Sequence, residues 1–314
     1  RAFLRSVSAP LTVTQLDAQD SLIAGARANV VSGQLGTATT AQLVFFDVLD
    51  VRLATGNGND QVQIGAEGLD AYGLRDFRLD TGSGDDTVTV HALQLSTAAA
   101  GSYQPVGDLG QATAGGPLPA GTGYTPIPGL VSLDLGSGSD QLLASADTDW
   151  TLTATTLATP RGAASGGAAL PAQLAGVEQV SLFGGASENL ITVAGFAGSV
   201  LVDGAGGGDR VVLETAALGV VSVADTGGSG RDTLGLRGTA QADTITGDGQ
   251  EVRSGDVSPV GSVFSGIEAV EIDGDDGADA IRVSAGTTVA VVVDGGAGGD
   301  IVRVFGGGSV RVVD

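Results

Sequence analysis

Aspartates that close glycine-rich turns are the residues of this 314-residue sequence whose type and spacing best suit chemistry. The stretch Leu79 to Val90, LDTGSGDDTVTV, shows the pattern: a glycine turn, an aspartate, and then alternating apolar residues. Related phrases recur along the chain, and one copy, GGASENLITV, carries Asn189 in place of the aspartate. The eight aspartates are Asp60, Asp86, Asp140, Asp209, Asp232, Asp243, Asp279 and Asp300.

These turns offer the ligands of a hard divalent cation. Calcium takes six to eight oxygens, and a glycine turn presents backbone carbonyls beside the carboxylate. We therefore predict several calcium sites at the eight aspartates, with Asn189 binding most weakly. Three sites are expected to be strongest because another aspartate precedes the turn and adds charge: Asp86 after Asp80, Asp209 after Asp203, and Asp300 after Asp294.

A turn without metal is the alternative. Asp and Asn are favoured in tight turns because their side chains bond to the nearby backbone and tolerate left-handed φ. If copies of the turn stack, neighbouring carboxylates lie about 4.8 Å apart, one strand spacing. We expect them to repel one another unless a cation lies between them.

The residues that follow each turn indicate the fold. Alternation of apolar and polar residues is typical of a half-buried strand, and the turns recur at intervals such as 26 residues from Asp60 to Asp86 and 21 from Asp279 to Asp300. Such repeats indicate a solenoid. With 53 glycines and no long helical stripe, the sequence predicts an all-β parallel β-helix or β-solenoid. Tandem antiparallel β-sandwich modules are the alternative.

A larger repeat divides the chain into three related modules of a single elongated solenoid over residues 1–314, near residues 11–90, 131–213 and 232–304. The stretches AQDSLIAG and QADTITGDG resemble each other and mark module starts, and TDWTLTAT is a candidate for the middle one. Two Ala/Gly/Pro-rich stretches, 96–129 and 159–173, are predicted to be loop insertions. A linker between separately folded domains is the alternative for 96–129.

Phrases such as GGAGGDIVRV (Gly295 to Val304) resemble the G-G-x-G-x-D-x-U-x repeats of RTX, or haemolysin-type, calcium-binding proteins. The resemblance implies a β-roll-like solenoid with bound calcium, as in large repetitive bacterial surface proteins. Several copies are degenerate: GTAQADTITG lacks most glycines, and GGASENLITV lacks the aspartate. RTX repeats run in tandem, whereas here the motif returns once per 20-odd residues, so we expect at most one metal-bearing edge.

Composition excludes several functions. The net charge is -22 and lysine is absent, so a nucleic-acid partner is not expected. Cysteine is absent, and no apolar run is long enough for a membrane span. The start RAFLRSVSAP has no initiator Met or signal-peptide pattern, which suggests a processed chain or part of a longer one.

Catalysis is not predicted either. His91 is the only histidine, and aromatic residues make up 4% of the chain, so groups that would act on a sugar are scarce. The sequence therefore predicts a non-enzymatic structural protein, outside the cell or at its surface: an acidic, calcium-stabilised segment of a fibre, matrix, S-layer or large bacterial adhesin. Its expected partners are further repeats of the same polypeptide or head-to-tail copies.

Two other functions stay open. The first is an adhesin module whose loops, near Tyr103 and Tyr124, bind a glycan or a host protein. The second, less favoured, is a carbohydrate-active β-helix enzyme. Exposed aromatics on the loops would favour the first, and a groove that gathers Asp and Arg around His91 would favour the second.

Overall fold

The structure is a computed structural model in which the described residues are 50–64, 76–91, 130–159, 171–216, 218–248, 250–255, 260–284, 286 and 289–313. Before residue 50, only the backbone of five strands is described. The predicted insertion at 96–129 lies outside the described residues, and so does most of the one at 159–173.

The described residues form strands and turns and contain no helix. The strands, in chain order, are β1 (Ala2–Arg5), β2 (Leu11–Asp20), β3 (Arg27–Leu35), β4 (Ala38–Thr39), β5 (Leu43–Phe45), β6 (Asp50–Ala54), β7 (Gln61–Ile64), β8 (Asp76–Asp80), β9 (Thr87–Val90), β10 (Leu130–Asp134), β11 (Gln141–Ser145), β12 (Trp150–Leu152), β13 (Thr156–Ala158), β14 (Ala172–Ala175), β15 (Gln179–Phe183), β16 (Leu190–Ala194), β17 (Ser199–Asp203), β18 (Arg210–Glu214), β19 (Val221–Ala224), β20 (Thr233–Arg237), β21 (Thr244–Asp248), β22 (Glu251–Ser254), β23 (Val260–Ser265), β24 (Ala269–Asp273), β25 (Asp276–Gly277), β26 (Ala280–Ser284), β27 (Ala290–Asp294), β28 (Ala297–Gly298), β29 (Ile301–Phe305) and β30 (Val310–Val313).

Two long sheets run through the described part of the chain. Sheet 1 has 13 strands in the order β1-β6-β8-β10-β14-β13-β12-β16-β18-β20-β24-β27-β30. Sheet 2 has 15, and its main path is β29-β26-β21-β22-β23-β19-β17-β15-β11-β9-β7-β2-β3-β4. Successive coils, each a circuit through both sheets, pair in parallel, as β6 with β8 and β7 with β9. The predicted β-solenoid is confirmed, and the antiparallel sandwich alternative is wrong.

The core lies between the two sheets and is built from the inward residues of the alternating strands. Strands such as β7 and β9 alternate between a partly or fully exposed residue and a buried one. Parallel pairing in register stacks like residues on like, so that Leu53, Leu79 and Leu133 form one buried column. Alternation in the sequence thus becomes a continuous apolar column, because every strand keeps the same face inward.

Three antiparallel meanders interrupt the parallel winding: β2-β3-β5, β12-β13-β14 and β21-β22-β23. The candidate module starts fall on the first strand of each meander, since AQDSLIAG overlaps β2, TDWTLTAT contains β12, and QADTITGDG contains β21. The division into modules at 11–90, 131–213 and 232–304 stays a prediction. The three stretches that mark the module starts nevertheless share one feature, the first strand of an antiparallel meander.

Candidate cation site and the aspartate ladders

The repeated aspartates form hydrogen-bonded ladders along the turns. In the first ladder, the Asp60 backbone N–H donates to Asp86 Oδ1 at 2.8 Å, and the Asp86 N–H donates to Asp140 Oδ1 at 2.7 Å. The ladder ends where the Asp140 N–H donates to Glu178 Oε2 at 2.9 Å. One oxygen of each carboxylate therefore binds a backbone amide of the adjacent coil.

The second ladder repeats this arrangement. Asn189 N–H donates to Asp209 Oδ1 and Asp209 N–H to Asp232 Oδ1, both at 2.8 Å. The Asp232 N–H then donates to Glu268 Oε2 at 2.8 Å. A glutamate after the second and third meander thus ends each of these two ladders.

The third ladder contains Asp243, Asp279 and Asp300. The Asp243 N–H donates to Asp279 Oδ1 at 2.8 Å, and the Asp279 N–H donates to Asp300 Oδ1 at 2.9 Å. In all three ladders, a carboxylate oxygen accepts a backbone N–H of the adjacent coil. The expectation that a cation also lies between stacked carboxylates stays a prediction.

The ladders lie at both edges of the solenoid, so the eight predicted metal residues do not share one edge, and the expectation of at most one metal-bearing edge stays a prediction. The first-ladder and third-ladder turns connect a strand of sheet 1 to a strand of sheet 2, as β6 to β7 and β24 to β26. Second-ladder turns run from sheet 2 to sheet 1, as β17 to β18. Because the coil strands of each sheet are parallel, these two kinds of connection lie at opposite edges. The first switch follows the meander β12-β13-β14, whereas the second falls between Asp232 and Asp243, before the meander β21-β22-β23.

Six of the eight ladder aspartates are buried. Asp86, Asp140, Asp209 and Asp279 are at most 3% exposed, and the Oδ2 atom of each has no hydrogen bond among the described residues. Burial raises the pKa of Asp86, Asp140 and Asp279, and the ladder hydrogen bond opposes that rise. A buried carboxylate charge is costly unless it is paired.

Burial acts most strongly at Asp209, whose pKa is raised to about 6. The hydrogen bond from Asn189 opposes this rise, whereas the charges of Asp225 and Asp232 add to it. The pKa of Asp232 is also raised, first by burial. This part of the second ladder holds more negative charge than its hydrogen bonds satisfy.

Asp209, Asp225 and Asp232 form a group that could hold a metal ion. One carboxylate oxygen from each lies within 4.8 Å of the others. No other group of three or more His, Cys, Asp or Glu residues with this geometry occurs in the part of the chain that the structure describes. Two of the eight predicted metal residues, Asp209 and Asp232, therefore come together with a third carboxylate that was not predicted.

Asp225 enters the group because of its register with Gly204. Asp203 pairs with Ala224, which sets Gly204 beside Asp225 in the next coil. A Cβ added to Gly204 would lie 2.5 Å from Asp209 Oδ2 and 2.9 Å from Asp225 Oδ2. The absence of a side chain at Gly204 leaves the space in which the two carboxylates approach each other.

The local turn fixes the Asp225 side chain. Its Oδ1 accepts the N–H groups of Gly227 at 3.0 Å and Gly228 at 3.3 Å, while its Oδ2 is buried and has no partner among the described residues. The sequence carries a signal for this site, because ADTGGSGRD holds more residues between strand and ladder aspartate than VDGAGGGD. The extra length lets Asp225 take a position that Asp203 does not.

Two of the three aspartates expected to strengthen sites cap their own turns. Asp203 Oδ1 accepts the Ala205 N–H at 3.0 Å, and Asp294 Oδ1 accepts the Gly296 N–H at 3.0 Å. Asp80 is exposed at the end of β8. Of the three sites expected to be strongest, only the Asp209 site lies in the three-carboxylate group.

Asn189 suits its place at the start of the second ladder. Its Nδ2 donates to Asp147 Oδ1 at 3.4 Å, and its Oδ1 accepts the Gly185 N–H at 2.8 Å. Asp147 also accepts hydrogen bonds from the hydroxyl and the N–H of Ser187, which lower its pKa. The Asn189 carboxamide thus faces the Asp147 carboxylate, which would repel an aspartate at position 189.

His91 lies apart from the three-carboxylate group. Its Nδ1 is 3.1 Å from the Ser145 carbonyl, and its Nε2 is 3.2 Å from Gln63 Nε2. A tautomer protonated at Nδ1 satisfies both contacts, with Nε2 accepting from the glutamine amide. The imidazole thus bridges neighbouring coils of sheet 2.

Comparison of the sequence with known proteins gives no relative to guide this assignment: no family model matches the chain, and no curated protein matches it. In the described ranges, no helix is long and apolar enough to cross a membrane.

Proposed function

We propose that this chain is a structural segment of an extracellular or cell-surface assembly, such as a fibre, matrix, S-layer or large adhesin. The observation that carries the proposal is the continuity of the two sheets through the described ranges. Each coil adds parallel backbone hydrogen bonds and a layer of buried apolar residues. The eight aspartates and Asn189 of the turn motif add ladder side chains. This architecture is extended and repetitive, as a scaffold or spacer requires.

Calcium is the cation proposed to stabilise the solenoid. Buried carboxylates with raised pKa values favour a bound positive charge, and all the candidate ligands are oxygens, which hard cations prefer. The net charge of -22 also favours cations as partners. The resemblance to RTX repeats agrees with calcium.

Self-association, or continuation into further repeats, is the proposed mode of assembly. The strands β29 and β30 each pair with a coil on one side only. They expose the apolar residues Ile301, Phe305 and Val312 by 53%, 43% and 51%. Another coil of the same kind, from the same polypeptide or from a second copy, would cover these residues and extend both sheets.

The other two functions receive no specific support. The glycan-binding or host-binding function depends on loops that include Tyr103 and Tyr124, which lie outside the described residues. The carbohydrate-active enzyme requires acidic and basic groups gathered near His91, which contacts Gln63 and Ser145 in the described structure. The scaffold function is the one that the described geometry supports best.

Two experiments test the proposal: one measures whether the chain lies at the cell surface, and the other measures its resistance to mechanical unfolding. Intact cells that produce the protein are treated with a protease too large to enter, and the chain is followed by immunoblot beside a cytoplasmic control protein. Degradation of the chain while the control survives is expected. The isolated chain is also stretched by optical tweezers in calcium and in EGTA, and higher unfolding forces are expected in calcium. Protection of the chain inside intact cells would refute the proposal.

A further inference from the structure

The carboxylates of Asp209, Asp225 and Asp232 have an excess of negative charge that hydrogen bonds only partly satisfy. Asp209 Oδ1 accepts the Asn189 N–H and Asp232 Oδ1 accepts the Asp209 N–H. Among the described ion pairs, none places an arginine on any of these three carboxylates. The neighbouring Glu268 already accepts the Asp232 N–H through its Oε2.

The unsatisfied oxygens point to one place. Asp209 is 3% exposed, and its Oδ2 has no partner among the described residues. Asp225 Oδ2 is likewise buried without a partner. Both atoms lie within 3 Å of the position that a Cβ on Gly204 would occupy, so they converge over the same glycine.

The other ladders lack this convergence. In the first ladder, the position that corresponds to Gly204 is held by Thr81 before Asp86 and by Leu135 before Asp140, and both side chains are buried. In the third ladder, Gly274 leaves space beside Asp279 Oδ2, but the described residues supply no third carboxylate there. The second ladder alone combines the open glycine with an additional acidic side chain.

We propose that Asp209, Asp225 and Asp232 form one divalent-cation site that joins two adjacent coils, while the remaining ladder turns stack without metal. Asp209 belongs to the coil of β17 and β18, and the other two residues belong to the coil of β19 and β20. The ion is calcium rather than magnesium, because calcium accepts irregular oxygen geometry whereas magnesium demands a near-ideal octahedron. The choice of calcium rests on the proposed function, whereas the residues of the site rest on the geometry alone.

A proton shared between Asp209 and Asp225 is the competing explanation for the same geometry. Two close carboxylates resist joint ionisation, and a proton held between them would relieve the repulsion without metal. The two explanations differ in their response to calcium at neutral pH, which the shared proton does not require.

The test measures calcium binding by isothermal titration calorimetry at neutral pH, together with melting temperature in calcium and in EGTA. The full chain is compared with Asp225→Asn, which keeps the Oδ1 acceptor for Gly227 and Gly228 but removes one charge. The matched control is Asp203→Asn, which loses the same charge at the same edge but keeps the Oδ1 acceptor for the N–H groups of Ala205 and Thr226. Both variants are checked for folding by circular dichroism.

One tightly bound calcium per chain is expected for the parent and for Asp203→Asn. Because the charge count of the ligands tunes calcium affinity, Asp225→Asn is expected to weaken binding by about tenfold or more. Its melting temperature should also lose most of its calcium-dependent rise.

Equal calcium affinity in the parent and Asp225→Asn would overturn the site. Several equivalent calcium ions per chain, unaffected by Asp225→Asn, would also overturn it, yet would leave the calcium-stabilised scaffold standing. No calcium binding by the parent, combined with greater stability at lower pH, would identify the shared proton and would refute the site. None of these outcomes depends on the cell-surface location, which the protease experiment tests separately.

Discussion

The first and second ladders share one turn motif but surround its carboxylate differently. In the first, buried Thr55 and Thr81 fill the position five residues before the ladder aspartate, and their hydroxyls donate to the Thr81 and Leu135 carbonyls. In the second, Gly184 and Gly204 leave that position empty. The carboxylate of Asp225 occupies the space that opens beside Gly204.

The repeated aspartate nevertheless has the same backbone role in both ladders. Both ladders bind the amide of the adjacent coil with nearly equal geometry, at 2.7 and 2.8 Å for Asp86 and Asp209. Among the described residues, three carboxylates come together only in the second ladder. The open Gly204 and the added carboxylate of Asp225 together distinguish this candidate cation site from the first ladder.

The largest predicted effect concerns the position four residues before the ladder aspartate. Gly82 has φ +91°, and a Cβ there would lie 2.0 Å from the Gly56 carbonyl oxygen. Ala205 occupies the corresponding second-ladder position with φ 70°. Gly82→Ala is expected to lower the free energy of unfolding in urea by roughly 4 kcal/mol, because it combines left-handed strain with a backbone clash.

The matched control is Ala205→Gly. It relieves the left-handed strain but makes the unfolded chain more flexible, so a change of less than about 1 kcal/mol is expected. A mild effect of Gly82→Ala, similar to that of Ala205→Gly, would show that the first-ladder turns pack less tightly than the structure indicates.

A smaller effect is predicted for pH. The pKa of Asp209 is about 6 in the folded chain against an ordinary value of 3.8, so the folded state binds its proton more tightly than the unfolded state. The resulting stabilisation is complete below the unfolded pKa and is lost as pH rises through about 6. In EGTA, urea unfolding should show about 1.4 kcal/mol less stability near pH 7.5 than near pH 5 from this residue.

Asp86, Asp140 and Asp279 contribute in the same direction, because burial raises their pKa values too. Asp225→Asn separates the ladders in this measurement, since it removes a charge that raises the Asp209 pKa and should flatten the pH dependence. A profile that rises with pH in EGTA would contradict the predicted direction of the shifts.

The smallest effect is predicted for a substitution that makes the start of the second ladder resemble that of the first. Asn189→Asp replaces the amide that donates to Asp147 by a carboxylate, as Asp60 has at the start of the first ladder. A loss of about 1 kcal/mol is expected, from the missing hydrogen bond and the new repulsion. The measurement is urea unfolding in EGTA.

The double variant Asn189→Asp/Asp147→Asn serves as the control. It restores a carboxylate facing a carboxamide with the roles exchanged, and should recover most of the lost stability. If the double variant is as unstable as the single one, the loss arises from the burial of the new carboxylate rather than from its repulsion by Asp147.

Much of the fold follows from local sequence. Alternating residues such as those of TVTV (Thr87–Val90) predict a strand with one buried face, and the recurrence of the turn predicts coils that stack. The confirmed parallel solenoid depends on these two features. Asp209 and Asp232 were likewise identified from their place in the turn.

Asp225 was not identified, because it lies outside the aligned position and reaches the site only through its register with Gly204. The roles of Glu178 and Glu268 at the ends of the ladders were not predicted either. Each glutamate accepts the backbone N–H of an aspartate that is 38 or 36 residues away in sequence, respectively. Contacts of this range depend on which coil lies beside which, and a turn motif does not encode that order.

The sequence by itself determined the turns, the strand faces and the apolar columns, because glycine conformation, aspartate capping and a two-residue period act over a few neighbouring residues. The tertiary structure decided the edge at which each ladder lies and the residues that surround its carboxylates. That edge depends on the sheet from which each aspartate turn starts, because the coil strands of a sheet are parallel: β6, β8 and β10 lie in sheet 1, whereas β15, β17 and β19 lie in sheet 2.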